Sequence, residues 1–387
     1  MKRVIISVTS DLVTDQRVHK VALSLHNNGF TVTLFGRKTS RSASLEKRIY
    51  KTKRTKLIFE KGFLFYANYN IRLFFYLLAH PADIFLSNDL DTLPANYWVA
   101  KFTKTRLIFD SHEYFTGVPE LLSRNRVRNI WKAFERNIFP KLKTIFTVND
   151  SIAALYENEY HKKVHVVRNM PFSSQPQYPQ GEDIFGIIPG GNSETAAILN
   201  LIYEALRIEK RKIILYQGAI NKDRGLEEMM EAMQWVENAV FLMIGNGDLY
   251  KKFKSQLKKI SYSDKIIMTG TVPLQYLPAF TRLATLGISF EKPTNINYQF
   301  ASPNKVVDYI HANVPVLASR LVEIEKIVLP YKVGDFIESH NPTHIVLKIK
   351  ELLDNEAQLQ KWKSNCKKAS QALNWENEEK VLLQLFK

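Results

Sequence analysis

Short runs of β-branched and aromatic residues alternate with amphipathic stretches along almost the whole chain, and few folds accept such a pattern. VIISV (4–8), TVTLF (31–35), DIFLS (83–87), RLIFD (106–110), TIFTV (144–148) and VHVVR (164–168) read as buried strands. A strand covered on both faces loses the apolar–polar alternation of a half-exposed one, and it pairs in parallel through crossover helices. The intervening segments supply those helices. In residues 18–29 the spacing predicts a face carrying Val18, Leu23 and Leu25, with Gly29 at the stop. The expectation is a parallel sheet with helices on both sides.

The alternation fails over residues 170–192, MPFSSQPQYPQGEDIFGIIPGGN, where four prolines and four glycines leave little periodicity. It resumes with KIILYQG (212–218), AVFLMIG (239–245), KIIMTG (265–270), LGISF (286–290) and VPVLAS (314–319). Residues 1–170 and 192–370 therefore read as two doubly wound, Rossmann-like α/β domains joined by a linker at 171–191. A chain of 387 residues is long enough for both. In open parallel sheets, ligands bind beyond the carboxyl ends of strands, so function is expected in the segments that follow them.

Charge divides the chain unevenly. Residues 1–170 hold 28 Lys and Arg against 14 Asp and Glu, whereas the remainder of the total 54 and 38 is 26 against 24. A basic first half beside a nearly neutral second half suits a polyanionic partner: nucleic acid, an acidic membrane or a phosphate-bearing substrate. The single cysteine, Cys366, cannot form an internal disulfide, which suits a reducing compartment. The apolar start of MKRVIISVTSD is too short for a signal peptide and reads as a core strand. No run approaches the roughly 18 apolar residues that span a bilayer.

Three strand-to-helix segments carry candidate chemistry. In LYQGAINKDRGLEEMMEAM (215–233) a strand ends at Gly218, and Arg224-Gly225 leads into a helix with Leu226, Met229, Met230 and Met233 facing inward. Arginine beside a glycine at a helix start suits a diphosphate, whose oxygens it binds in pairs. IGNGDLYKKF (244–253) repeats the arrangement with Gly245-Asn246-Gly247, a weak signal without the third glycine of a dinucleotide fingerprint. In ASPNKVVDYIHANVPVLAS (301–319), Ser302 and Pro303 predict the cap and first turn of a helix. Lys305 then lies near its start and Asp308 one turn on, where a cation can hold phosphate and a carboxylate can accept from ribose hydroxyls.

Taken in order, these segments resemble the donor-binding domain of the group 1 (family 4 type) glycosyltransferases of GT-B fold. That family reads G-x-L-x-x-x-[KR]-G, then G-x-G, then S-x-P-x-K-x-x-E-Y ahead of a small-residue turn and P-V. Gly218 to Gly225, Gly245 to Gly247 and the run from Ala301 to Tyr309 stand in those places. Asp308 replaces the family's ribose-binding glutamate. The glutamate expected eight positions earlier falls on Phe300, and an arginine often found after the first glycine falls on Ala219.

The first half agrees. SDLVTDQRVHKVALSLHNNGF matches the family's opening unit at Asp15, Arg17 and Val18, without its double glycine. LSNDLDTLPANYWVAK and LIFDSHEYF resemble its paired segments lining the interdomain cleft, with His112 where a cleft histidine is expected. The resemblance covers nearly the whole chain.

It implies two domains facing a deep cleft, with the last helix, about 371–386, packing back on the first. Gly218, Arg224, Gly245, Asn246, Lys305 and Asp308 would bind a nucleotide-diphosphate sugar in the second domain. Asp15, Arg17, Asp89 and Asp91 would bind a saccharide or lipid-linked acceptor in the first, with His112 in a catalytic, orienting role. The family transfers sugar with retention and without a metal or other cofactor. Asp89-Leu90-Asp91 matches a metal-nucleotide motif of another glycosyltransferase fold, but it lies in the half opposite the donor site.

Residues 37–56 hold nine cations and one acid, followed by the Phe-, Tyr- and Leu-rich stretch 57–80. The segment 36–80 suits an acidic bilayer surface, and 63–79 alone also reads as a core helix. A cytoplasmic, membrane-peripheral enzyme of surface-polysaccharide or lipid-linked glycan assembly follows from the resemblance together with the basic face. Two rival readings keep the same residues. One is a nucleotide-sugar epimerase or sugar phosphorylase of the same fold; the other is a nucleic-acid-binding protein.

Overall fold

The computed structural model describes residues 1–40, 42–173, 202 and 210–387. Apart from its first three residues, the expected linker at 171–191 lies outside them, as does the expected domain start at 192. Strands β1 (Arg3–Asp11), β2 (Thr31–Lys38), β3 (Lys51–Lys56), β4 (Ile84–Asn88), β5 (Arg106–Ser111), β6 (Thr144–Thr147) and β7 (His165–Val166) form one sheet. A second sheet comprises β8 (Lys212–Gln217), β9 (Ala239–Ile244), β10 (Ile266–Gly270), β11 (Leu286–Ser289), β12 (Val316–Ser319) and β13 (Gly334–Ile337).

The orders are β3-β2-β1-β4-β5-β6-β7 and β10-β9-β8-β11-β12-β13, parallel throughout. Each is a doubly wound sheet with its order reversing beside the first strand, which opens a crevice at the carboxyl ends of β1 and β4 and of β8 and β11. The backbone clusters into two compact units. One is Met1–Asn169 with Asn295–Asn297 and Glu376–Lys387; the other is Met170–Thr294 with Tyr298–Trp375.

Burial explains why the strands read as continuous apolar runs. Ile213 and Leu215 of β8 pack into one core of the second unit, and Ile214 and Tyr216 into another on the opposite face. Successive side chains point to opposite faces, so both parities must be apolar. Two strands have no such signature. β3 is KTKRTK, an edge strand whose lysines face solvent and block further pairing. β13, GDFI, is short and half covered.

Helix α1 (Gln16–Asn27) buries Val18, Val21, Ala22 and Leu25, while Leu23 falls outside that face, because 3.6-residue spacing carries 18 to 21, 22 and 25. The helix Asn304–His311 starts one residue later than expected. Pro303 stands at its N-cap and makes no side-chain capping bond, so Ser302 is not the cap. The chain ends in two helices, Glu356–Ala372 and Trp375–Gln384. The last is tied to the first unit by Arg168, which pairs with Glu378 at 2.6 Å, and by Arg106, which donates to the Leu385 carbonyl at 2.6 Å.

Helix α2 (Gly62–Ala79) has two apolar faces. Phe65, Tyr69, Leu73 and Leu77 are buried against the sheet, whereas Phe63, Leu64, Ile71, Phe75 and Leu78 are exposed. Its neighbour α3 (Leu93–Thr103) adds exposed Trp98 and Phe102, and Phe74 meets the Phe102 ring edge-on at 6.4 Å. Residues 63–79 are therefore a core helix on one side only. No helix among the described residues is long and apolar enough to cross a membrane.

One glycine decides how closely two loops approach. Gly245 has φ +142°, and a Cβ there would lie 1.9 Å from the Gly218 carbonyl oxygen. Gly29, also at positive φ, has nothing within 4 Å of that position. Gly245→Ala should therefore cost at least about 2 kcal/mol, against about 1 kcal/mol for Gly29→Ala, in urea denaturation. Equal losses would mean that backbone conformation alone is at stake.

Candidate functional site

The second unit has a cavity of about 280 Å³ lined by Gln217, Gly218, Arg224, Asn304, Lys305 and Asp308 among others. It sits at the carboxyl end of β8, beside β11, where the strand order reverses. Arg224 and Lys305, far apart in sequence, converge on a single atom. Arg224 Nη1 lies 3.2 Å from Glu291 Oε1, and Lys305 Nζ bonds the same oxygen. Glu291, two residues beyond β11, is fully buried, and its other oxygen accepts from Ser289 Oγ at 2.6 Å. Burial opposes its charge, but Lys305 and Arg224 outweigh burial and hold the carboxyl down at about 2. Glu291 is ionised at any working pH.

Aromatic rings keep both cations in place. Arg224 stacks over Tyr298 at 4.6 Å, and Lys305 lies 4.7 Å from the Tyr216 ring centre. Gly225, at φ +68°, admits the turn, since a Cβ there would meet Phe290 at 2.5 Å. Asp308 Oδ2 accepts from Gln217 Nε2 at 3.1 Å, and Gln217 Oε1 accepts from Thr281 Oγ1 at 2.7 Å, so the carboxylate is aimed by a relay from β8. Beneath it, the Tyr309 hydroxyl accepts from the Gln217 amide and faces the Leu215 and Ile288 carbonyls, bridging β8 and β11. Asn246 is exposed, and its side-chain oxygen accepts from the Gly247 amide at 2.8 Å. Gly218 donates its amide to Ile244 at 2.9 Å.

Sequence reasoning did not single out Glu291, Gln217, Thr281 or Tyr298, and it placed Tyr309 only as the last position of a family motif. A glutamate immediately after the buried run LGISF is the one signal that points to the first of them.

In the first unit the expected residues also gather, but their polar groups face one another. Arg17 is 5% exposed; it pairs with Asp110 at 2.9 and 3.2 Å and donates to the Val167 carbonyl at 2.9 Å. Asp15 caps α1 through the Val18 amide at 3.0 Å and accepts from Ser10 Oγ at 2.5 Å. Both residues are internal ties here. Asp89 accepts from the His112 amide at 2.8 Å and from Nδ1 at 3.2 Å, while Nε2 faces Asp110 at 3.1 Å.

Burial works against charge on His112, but Asp89 and Asp110 raise its pKa well above the usual histidine value, so the ring is an imidazolium. It has no free nitrogen to serve as a base. Asp91 is buried and accepts from Thr9 Oγ1 at 2.5 Å; its other oxygen has no partner, and burial reinforced by Asp89 pushes its pKa to about 7. Neither Asp89 nor Asp91 caps α3, whose N-cap is Thr92.

With this geometry in view, the likenesses of the chain are specific. The family model described as Glycosyl transferases group 1 matches residues 201–369, and that described as Glycosyltransferase Family 4 matches residues 15–170. An uncharacterized glycosyltransferase of Methanocaldococcus jannaschii is 25% identical over 162 residues. That match covers 42% of this chain and 44% of the relative, so it spans under half of either. Sucrose-phosphate synthase from Thermosynechococcus elongatus superposes with a TM-score of 0.75 at 15% identity, covering 100% of this chain and 98% of that one. Anabaena HepE in complex with UDP-glucose superposes at 0.71 and 12% identity, covering 100% and 99%. At these identities the two structures speak for the fold.

Two outcomes follow for the first unit. Asp110→Asn leaves Arg17 buried without its counter-charge and should cost about 3 kcal/mol in denaturant unfolding. The raised pKa of His112 means its contribution to stability is complete below pH 6.5 and is lost as pH rises through the folded value. The stability gap between wild type and His112→Gln should therefore be widest in mild acid and close on the alkaline side. A gap that widens with pH would show the ring to be held neutral.

Proposed function

The chain belongs to the group 1 glycosyltransferases, and from that premise we propose that it transfers a sugar from a nucleoside-diphosphate sugar, bound in the cavity of the second unit, to a hydroxyl acceptor with retention. The observation that carries the reading is the meeting of Arg224 and Lys305 at one buried point beside Asp308. Two cations lining a strand-end cavity are what a diphosphate requires, and Asp308, aimed by Gln217, suits the ribose hydroxyls. HepE binds UDP-glucose on the same fold, which supports a donor of that class.

In this reading the bond between the anomeric carbon and the phosphate oxygen breaks as the acceptor oxygen attacks from the same face. The acceptor's proton passes to the leaving phosphate, yielding a glycoside and a nucleoside diphosphate. Negative charge grows on the diphosphate, and Arg224 and Lys305, fixed before the reaction, stabilise it without a metal ion. His112, protonated on both nitrogens, serves as a fixed charge in the first unit, not as a base. Neither the epimerase or phosphorylase reading nor the nucleic-acid reading gains support from the likenesses.

The acceptor is proposed to be a lipid-linked or surface saccharide at an anionic, cytoplasm-facing membrane. The support is the exposed second face of α2 with Trp98 and Phe102 of α3, in the half of the chain that carries the excess of cations. Aromatic rings insert at the headgroup level, and each nearby lysine or arginine adds about 1 kcal/mol toward anionic lipid.

UDP or GDP should raise the melting temperature of the protein in the presence of a chelator, and Arg224→Ala or Lys305→Ala should abolish that rise, read against each variant's own unliganded melting temperature because either change leaves the buried Glu291 with one cation fewer. No response to either nucleotide would remove the donor-site reading. In sedimentation with phosphatidylglycerol vesicles, changing Phe75, Trp98 and Phe102 together to serine should weaken binding at least about tenfold. Equal binding of the wild type to neutral and anionic vesicles would refute the membrane assignment.

A further inference from the structure

Glu291 presents a problem for any anion that enters the cavity. It is fully buried and ionised, and it already engages both cations through one oxygen. Nothing about the fold of β11 demands a carboxylate there: the strand ends at Ser289, Phe290 fills the core, and the next residue could turn outward. Instead Glu291 turns in, and Ser289 and the two cations satisfy it. The floor of the cavity therefore carries two positive charges and one negative charge.

We propose that Glu291 is a built-in counter-ion that competes with the donor's diphosphate for Arg224 and Lys305, and so sets how readily the nucleoside diphosphate product leaves. The proposal rests on the cavity being the donor site. Glu291 is a positioning residue: it acts through the two cations and does not touch the substrate. Two desolvated cations with no resident anion would hold a diphosphate so firmly that each turnover would end in a trapped product. A carboxylate between them lowers the net charge to one and keeps both groups oriented while the site is empty. When the diphosphate arrives, the cations exchange one anion for another without being built anew.

Charge counting gives a test that a merely structural glutamate would fail. The wild-type floor has net charge +1, Glu291→Gln has +2, Lys305→Ala has 0, and the double variant Lys305→Ala with Glu291→Gln returns to +1. Binding of UDP and GDP is measured by titration calorimetry in chelator, on the full chain, for all four proteins. E291Q should bind its diphosphate about tenfold more tightly than wild type, with a steeper dependence on salt. K305A should lose most of the affinity, and the double variant should regain most of what K305A lost. Glu291→Asp, which keeps the charge, should stay near wild type.

Should E291Q not fold, the comparison of K305A with the double variant carries the same test, since there only one cation, the partly buried Arg224, remains. Weaker binding in E291Q, or a double variant no better than K305A, overturns the counter-ion role while leaving the donor site intact. Failure of the wild type to bind either diphosphate removes the donor site, and this proposal with it.

Discussion

Everything in the second unit is arranged around one buried carboxylate oxygen that two cations share. Bringing an arginine from the loop after β8 and a lysine from the helix Asn304–His311 to Glu291 Oε1 requires β8 and β11 to lie side by side. That adjacency exists because the strand order reverses there. The close passage of Gly245 under the Gly218 carbonyl and of Gly225 against Phe290 lets the flanking loops fold down tightly enough for the side chains to reach. A buried ion triad is a poor source of stability. In the proposed donor site the two cations have a role other than stability.

The two units treat their polar residues in opposite ways, and the contrast separates their roles. In the first, Arg17, Asp110, His112 and Asp89 form a chain in which each group answers the next, and Asp15 is occupied at the start of α1. Such a network ties α1 to the ends of β4 and β5 and presents a fixed positive ring. In the second, Lys305 and Asp308 line an open cavity, each held from behind by a residue of the sheet side, Glu291 or Gln217. The first arrangement fixes shape. The second lines a cavity.

Much of this was legible in the amino-acid order, and the exceptions share a cause. Strands covered on both faces, such as β4, β8 and β9, stand out because burial demands apolar residues on both faces along most of their length. β3 was invisible because an edge strand exposes its side chains, and alternating lysine and threonine look like a loop. Arg224, Lys305 and Asp308 could be picked out because each follows a strand and sits near a helix start. Glu291 could not be assigned a partner, since its meaning lies entirely in side chains from two distant segments. The ties within the first unit were hidden for the same reason: Arg17 reads as a ligand for an acceptor until Asp110 and Val167 are seen to occupy it.

The uneven charge of the chain takes on a physical meaning once α2 is placed. A helix with one apolar face in the core needs polar residues on the other for solubility, yet Phe63, Leu64, Ile71, Phe75 and Leu78 occupy that other face, and α3 extends the patch with Trp98 and Phe102. Contiguous exposed aromatics of this kind are costly in water and favourable at a bilayer headgroup layer. The helix carries a single cation, Arg72, and no acid, while the segment ahead of it holds nine cations. In the membrane-binding mode proposed above, attraction over a Debye length would bring such a surface to an anionic membrane, and ring insertion would then hold it there. In that proposal, an apolar face and a basic flank on the same stretch of chain are two parts of one binding mode.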